Sequence, residues 1–143
     1  MRFMMIMYPG EKAEAGILPD ASVFAAMMKY NEELQQAGAL LALDGLHPTA
    51  KGARVSFAGG KRTVTDGPFT EAKEVIGGFW LNDVKSREEA IEWAKRCPAG
   101  DGEMIEVRQV YEAADFPPEV LTPDLTAREQ AMGEQLKQQA AKP

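Results

Sequence analysis

His47 is the chain's only histidine and the one side chain whose ordinary pKa lies near neutrality, so it is the natural proton carrier. Pro48 fixes the backbone just after it, and Leu46-His47-Pro48 reads as a strand end or loop, where sites are commonly built. The plain alternative is a turn residue that bonds locally. Asp66, in Thr65-Asp66-Gly67-Pro68-Phe69, is the candidate carboxylate partner. An aspartate before Gly-Pro also starts turns by accepting nearby backbone N–H groups. In that reading Gly67-Pro68 is scaffold and Phe69 a plug packed under the loop. Lys73 and Glu74 are polar catalytic groups in one reading, and a solvated face or an interface ion pair in the other.

Alternation along residues 103–111 puts Met104, Glu106, Arg108 and Val110 on one face, and Ile105, Val107, Gln109 and Tyr111 on the other. Ile105 and Val107 suit a helix-covered core, so Glu106 and Arg108 are expected to point the opposite way. Charges there are costly unless paired or facing a ligand or water, which predicts an ion pair or a polar patch in a pocket. Cys97, the only cysteine, excludes an internal disulfide and zinc spacing, and reads as a buried, inert thiol. One histidine among scattered carboxylates gives no metal site, and no cofactor is implied. No P-loop, dinucleotide fingerprint or nucleophile elbow is present. Gly77-Gly78 is not a phosphate loop, because no helix start follows it.

The elements that must position these residues fit one domain with a real core, since 143 residues is near the commonest domain size. The net charge of −6, with no basic cluster to offset it, argues against nucleic acid as a partner. The apolar start, residues 1–8, is too short for a signal peptide and no run approaches a membrane span, so a soluble cytoplasmic protein is expected.

Residues 2–8 are apolar on both alternating faces and read as a central strand covered on both sides. Pro9-Gly10 ends it, and residues 11–19 read as a polar loop. Asp20 or Ser22 caps a helix carrying Phe24, Met27, Met28, Leu34 and Ala37 at helical spacing, stopped by Gly38. Residues 39–46 are a second strand, and 53–57 and 62–65 form a hairpin around Gly59-Gly60. A long strand over 75–84 has a bulge or close backbone approach at Gly77-Gly78. Ser86-Arg87-Glu88-Glu89 is a capping box opening a helix with Ala90, Trp93, Ala94 and Cys97 on one face. Residues 103–111 are the last strand. With the hairpin set aside as an insertion, the order is that of the split βαβ, ferredoxin-like α+β fold: an antiparallel sheet with two helices on one face. The bare face needs a cover. A partner subunit is the economical one, and the tail, a Pro-rich linker plus polar helix over 117–143, is the competitor.

Several of these segments form a set: the Met1-Arg2-Phe3-Met4-Met5 opening, Gly45-Leu46-His47-Pro48, Thr65-Asp66-Gly67-Pro68-Phe69, Lys73-Glu74, Gly77-Gly78-Phe79, Glu89-Ala90 with Trp93-Ala94, and Ile105-Glu106-Val107-Arg108. Over residues 1–116 the chain resembles the DGPF branch of the YCII-related family. The resemblance implies a ferredoxin-like domain that dimerises through its sheets as a dimeric α/β barrel. It also implies a small bacterial protein of undefined activity, in a branch often encoded beside alternative sigma factors. A more distant relative is a dehydrochlorinase, and a His-Asp pair is proposed as the active pair of the wider family. In the other branch that histidine sits in the first helix, near an Arg-Pro-X-His motif. Residues 20–37 contain no histidine here, so that dyad does not transfer and any histidine chemistry falls to His47.

Two functions are therefore expected. One is a small-molecule enzyme of proton transfer, lyase or dehalogenase in kind, with His47 as base and Asp66 as its orienter. The other is a non-catalytic dimer that binds a small ligand or regulatory protein. For the first, the expected site is a polar pocket bounded by His47, Asp66 and Arg108, closed by the Asp66–Glu74 loop. Phe69, Lys73 and Glu106 stand beside it, and the pocket suits an anionic or phenolic molecule.

Overall fold

A computed structural model describes residues 1–143, which divide into two compact units, Met1–Val110 and Tyr111–Pro143. The first unit holds strand β1 (Arg2–Tyr8), a single-turn helix α1 (Glu11–Glu14), helix α2 (Ala21–Gln36) and strand β2 (Leu40–Gly45). The hairpin strands β3 (Ala53–Ala58) and β4 (Lys61–Asp66) follow, then β5 (Gly78–Asp83), helix α3 (Arg87–Arg96) and β6 (Met104–Gln109). The second unit is a short 3-10 turn, Ala113–Asp115, and helix α4 (Pro123–Ala140). The polar stretch expected to be all loop thus contains α1.

Four strands make one sheet in the order β2-β5-β1-β6, every neighbour antiparallel, and β3-β4 pair only with each other. This is a mixed α+β architecture compatible with a ferredoxin-like fold carrying an inserted hairpin. The sheet is open, with β2 and β6 as its edges. A bulge interrupts β2 between Leu40 and Ala42.

Period-two alternation sorts the sheet into two faces. Phe3, Met5 and Met7 of β1 join Trp80 of β5, Tyr30 and Leu34 of α2, and Ala90 and Trp93 of α3 in one buried cluster. Tyr30 sits at its centre, edge-on to Trp80 and Trp93 with ring centroids 5.9 and 6.5 Å away. Its hydroxyl donates to the Trp93 carbonyl at 2.7 Å, tying α2 to α3. Burial pushes that hydroxyl well above the usual tyrosine range. Asn82 is fully buried on this face, and neither of its side-chain polar atoms has a partner. The other face carries Met4, Ile6, Phe79 and Leu81, with Glu106 opposite Ile6 and Arg108 opposite Met4.

Local signals account for the ends of the elements. Asp20 accepts the Val23 N–H at 3.0 Å and starts α2. Ser86 accepts the Glu89 N–H at 3.1 Å, while the Glu89 carboxylate reaches the Lys85 N–H, one residue before the cap. Gly59 and Gly60, at φ 55° and 76°, make the two-residue hairpin turn that needs positive φ twice.

Candidate functional site

Gly45 ends β2, and the chain turns through Leu46, His47 and Pro48 into a 3-10 turn over Thr49–Lys51. Gly67 and the cis peptide to Pro68 follow β4 directly. The two turns are fastened to each other. Phe69 N–H donates to the Thr49 hydroxyl at 3.0 Å, and Gly67 N–H donates to the Gly52 carbonyl at 3.0 Å. Gly67 approaches so closely that a Cβ there would lie 1.7 Å from the Thr49 carbonyl oxygen. Only glycine fits.

Glu14 of α1 completes the clamp. Its carboxylate accepts the Thr49 N–H at 3.1 Å and the Thr49 hydroxyl as well. Thr49 therefore receives the Phe69 amide on the same oxygen that donates to Glu14, a chain of bonds joining three separate segments. Arg54 of β3 lays its guanidinium 3.7 Å from the Phe69 ring centroid, a cation–π contact that roots the hairpin on the loop. Nearby, Pro9 packs where a side chain on Gly77 would stand, and the Asp44 carbonyl lies 2.8 Å from where a Cβ on Gly78 would be. The paired glycines thus mark close approaches rather than a bulge.

His47 and Asp66 are both exposed, each beside this clamp, and neither side chain makes a hydrogen bond or ion pair. The turn-forming bonds expected from Asp66 come instead from Thr49 and Glu14. Neither of those had a spacing signal. A threonine hydroxyl just after His-Pro was the one available hint, since such hydroxyls commonly bond turn backbone. Phe69 is half-buried under Arg54, in keeping with a plug, and Lys73 is exposed in a 3-10 turn, Ala72–Glu74.

Arg108 is not with them. Gly45 pairs with Gly78, Gly78 with Met7 and Met7 with Ile105, so three strand spacings of about 4.8 Å each separate the β2 and β6 edges. Arg108 then lies three residues along β6, on the side away from His47, adding about 10 Å. One chain therefore does not bring His47, Asp66 and Arg108 around one pocket. Glu106 is half-buried, Arg108 exposed, and they form no ion pair within the chain. Two hollows lie elsewhere, at the hairpin turn and between α3 and β6. Cys97 lines the second, half-buried; burial and then the charge of Glu103 push its thiol up to about 11, as suits an unreactive sulfur.

The family model for the YCII-related domain matches residues 1–114. The chain belongs to the YCII-related family. It is also similar to an uncharacterised protein of Rhizobium meliloti (strain 1021), 34% identical over 76 residues, which are 53% of this chain and 61% of that relative. The YCII-related match covers the sheet, both packed helices and the clamped turns. No helix is long and apolar enough to cross a membrane.

Proposed function

We propose that this YCII-related protein, of the DGPF branch, is a small-molecule-binding homodimer with acid–base activity of lyase or dehalogenase kind. The observation that carries the reading is the clamp. Two turns that flank the hairpin in sequence and meet at its root are locked by Thr49 and Gly67, with His47 and Asp66 exposed and unpaired on those loops. Locked backbone with free proton-carrying side chains is the arrangement acid–base work needs, and catalytic hydrogen bonds often close only when ligand arrives. In this reading His47 moves the proton and Asp66 fixes its tautomer.

Dimerisation through the second sheet face, as a dimeric α/β barrel, is supported by the apolar Met4, Phe79 and Leu81, which stay half-exposed there around Ile6, a residue already buried within one chain. Because one chain separates Arg108 from His47, the guanidinium that meets an anionic or phenolic ligand at a His47 site comes from the second copy. Glu106 and Lys73 line the same cleft, and Phe69 holds the loop that bounds it. A metabolite screen by thermal shift tests the reading, since a selective binder raises the melting temperature of the wild type. His47→Ala and Asp66→Asn should each abolish the shift and leave the unliganded melting temperature nearly unchanged. If Asp66→Asn lowers stability and keeps binding, the aspartate shapes the turn and the catalytic assignment fails.

A second reading is favoured by one observation: the hollows at the hairpin turn and between α3 and β6 are lined by neither His47 nor Asp66. In that reading the protein is a cytoplasmic, non-catalytic regulatory binder linked to an alternative sigma factor. Ligand binding without turnover, unaffected by His47→Ala, would select it.

A further inference from the structure

The β3–β4 hairpin stands off the core and covers Phe69 with Arg54 at its root. All twelve of its strand residues are exposed, and it shares no ladder with the main sheet. Its two faces differ. Arg54, Ser56, Thr63 and Thr65 lie on one, and Arg54 is used inward at the root against Phe69. The other is apolar: Val55 pairs with Val64 and Phe57 with Arg62, at 52%, 65% and 73% exposure for the three hydrophobic residues. A two-stranded ribbon is marginal in water unless one face is covered. A tyrosine or serine would serve a solvated ribbon better than Phe57.

Charge says what covers it. Residues 53–66 carry three basic side chains and one carboxylate, +2, within a chain of −6, so everything outside the arm carries −8. A basic apolar arm on an otherwise acidic protein finds its complement on another copy of the same acidic body. Without the arm each chain would carry −8, and two such chains repel as they approach.

We propose that the β3–β4 arm of one copy lays its Val55–Phe57–Val64 face on the body of a second copy, and that Arg62 and Lys61 steer it there. This rests on the homodimer reading above and adds a contact that the sheet faces do not supply. The two ideas fail separately. Sedimentation velocity across a dilution series reads the dimer dissociation constant. The double variant Phe57→Ser/Val64→Ser changes only exposed positions, and should weaken the dimer at least about tenfold, a change of about 1.4 kcal/mol. Arg62→Glu should weaken it too, and most at low salt, where charge attraction reaches furthest. A photo-crosslinking benzoylphenylalanine at position 57 should join two chains, with the attachment mapping outside residues 53–66. A wild-type dimer whose dissociation constant is unmoved by both variants, and which gives no crosslink, overturns the arm and leaves the sheet dimer standing. A wild type that is a single chain at every concentration overturns both.

Discussion

Asn82 is the residue with most to say about how tightly this core is specified. It is fully buried opposite Phe3, and both of its amide atoms lack partners. Leaving polar atoms unpaired in a core costs free energy that an apolar residue of like volume recovers. Asn82→Leu is therefore expected to raise stability by about 1–3 kcal/mol in urea unfolding. A loss of stability would mean that a buried water or a rearranged neighbour satisfies the amide. Trp93 makes the opposite case. It is 8% exposed, packs beside Tyr30, and lends its carbonyl to the Tyr30 hydroxyl. Trp93→Ala should cost about 3–5 kcal/mol, and a loss below about 1 kcal/mol would mean that α3 can repack.

Among the elements, the loops behave less like loops than their composition suggests. Gly67→Ala would drive a methyl group into the Thr49 carbonyl, so the turn after β4 must come off its neighbour. The expected readout is faster hydrogen exchange at the Phe69 amide, which is held by Thr49, with stability lowered by about 1–3 kcal/mol. Unchanged exchange would show that the turn shifts without detaching. What was legible in the sequence follows the same division. Helices α2 and α3 announced themselves through Asp20 and Ser86 caps and apolar spacing, and the hairpin through Gly59-Gly60. Helix α1 did not, because one turn is too short to show a period. Nor did Glu14, whose bond to Thr49 spans 35 positions and leaves no spacing behind. The faces of β6 could be read from alternation, but its distance from His47 is set by strand order, and alternation carries no strand order.

For the whole molecule, a homodimer should scatter light as about twice the 15.6 kDa chain at micromolar concentration. A monomer that persists on concentration overturns it. If the second copy supplies Arg108 to each His47 site, mixing chains carrying His47→Ala with chains carrying Arg108→Ala should restore one working site per mixed dimer. Binding would then recover to about a quarter of the wild-type sites, the statistical share when half of the pairs are mixed. No recovery would return Arg108 to a role within its own chain, or to none. The bulge between Leu40 and Ala42 limits what such chains can build. An outer strand with its ladder broken so near the start offers a newcomer only a short stretch of matched hydrogen bonds. Growth by adding strand after strand is discouraged at that margin. Crowded in a cell, this protein should therefore stop at small closed assemblies and resist seeding into fibres, even while much of its greasy surface faces outward.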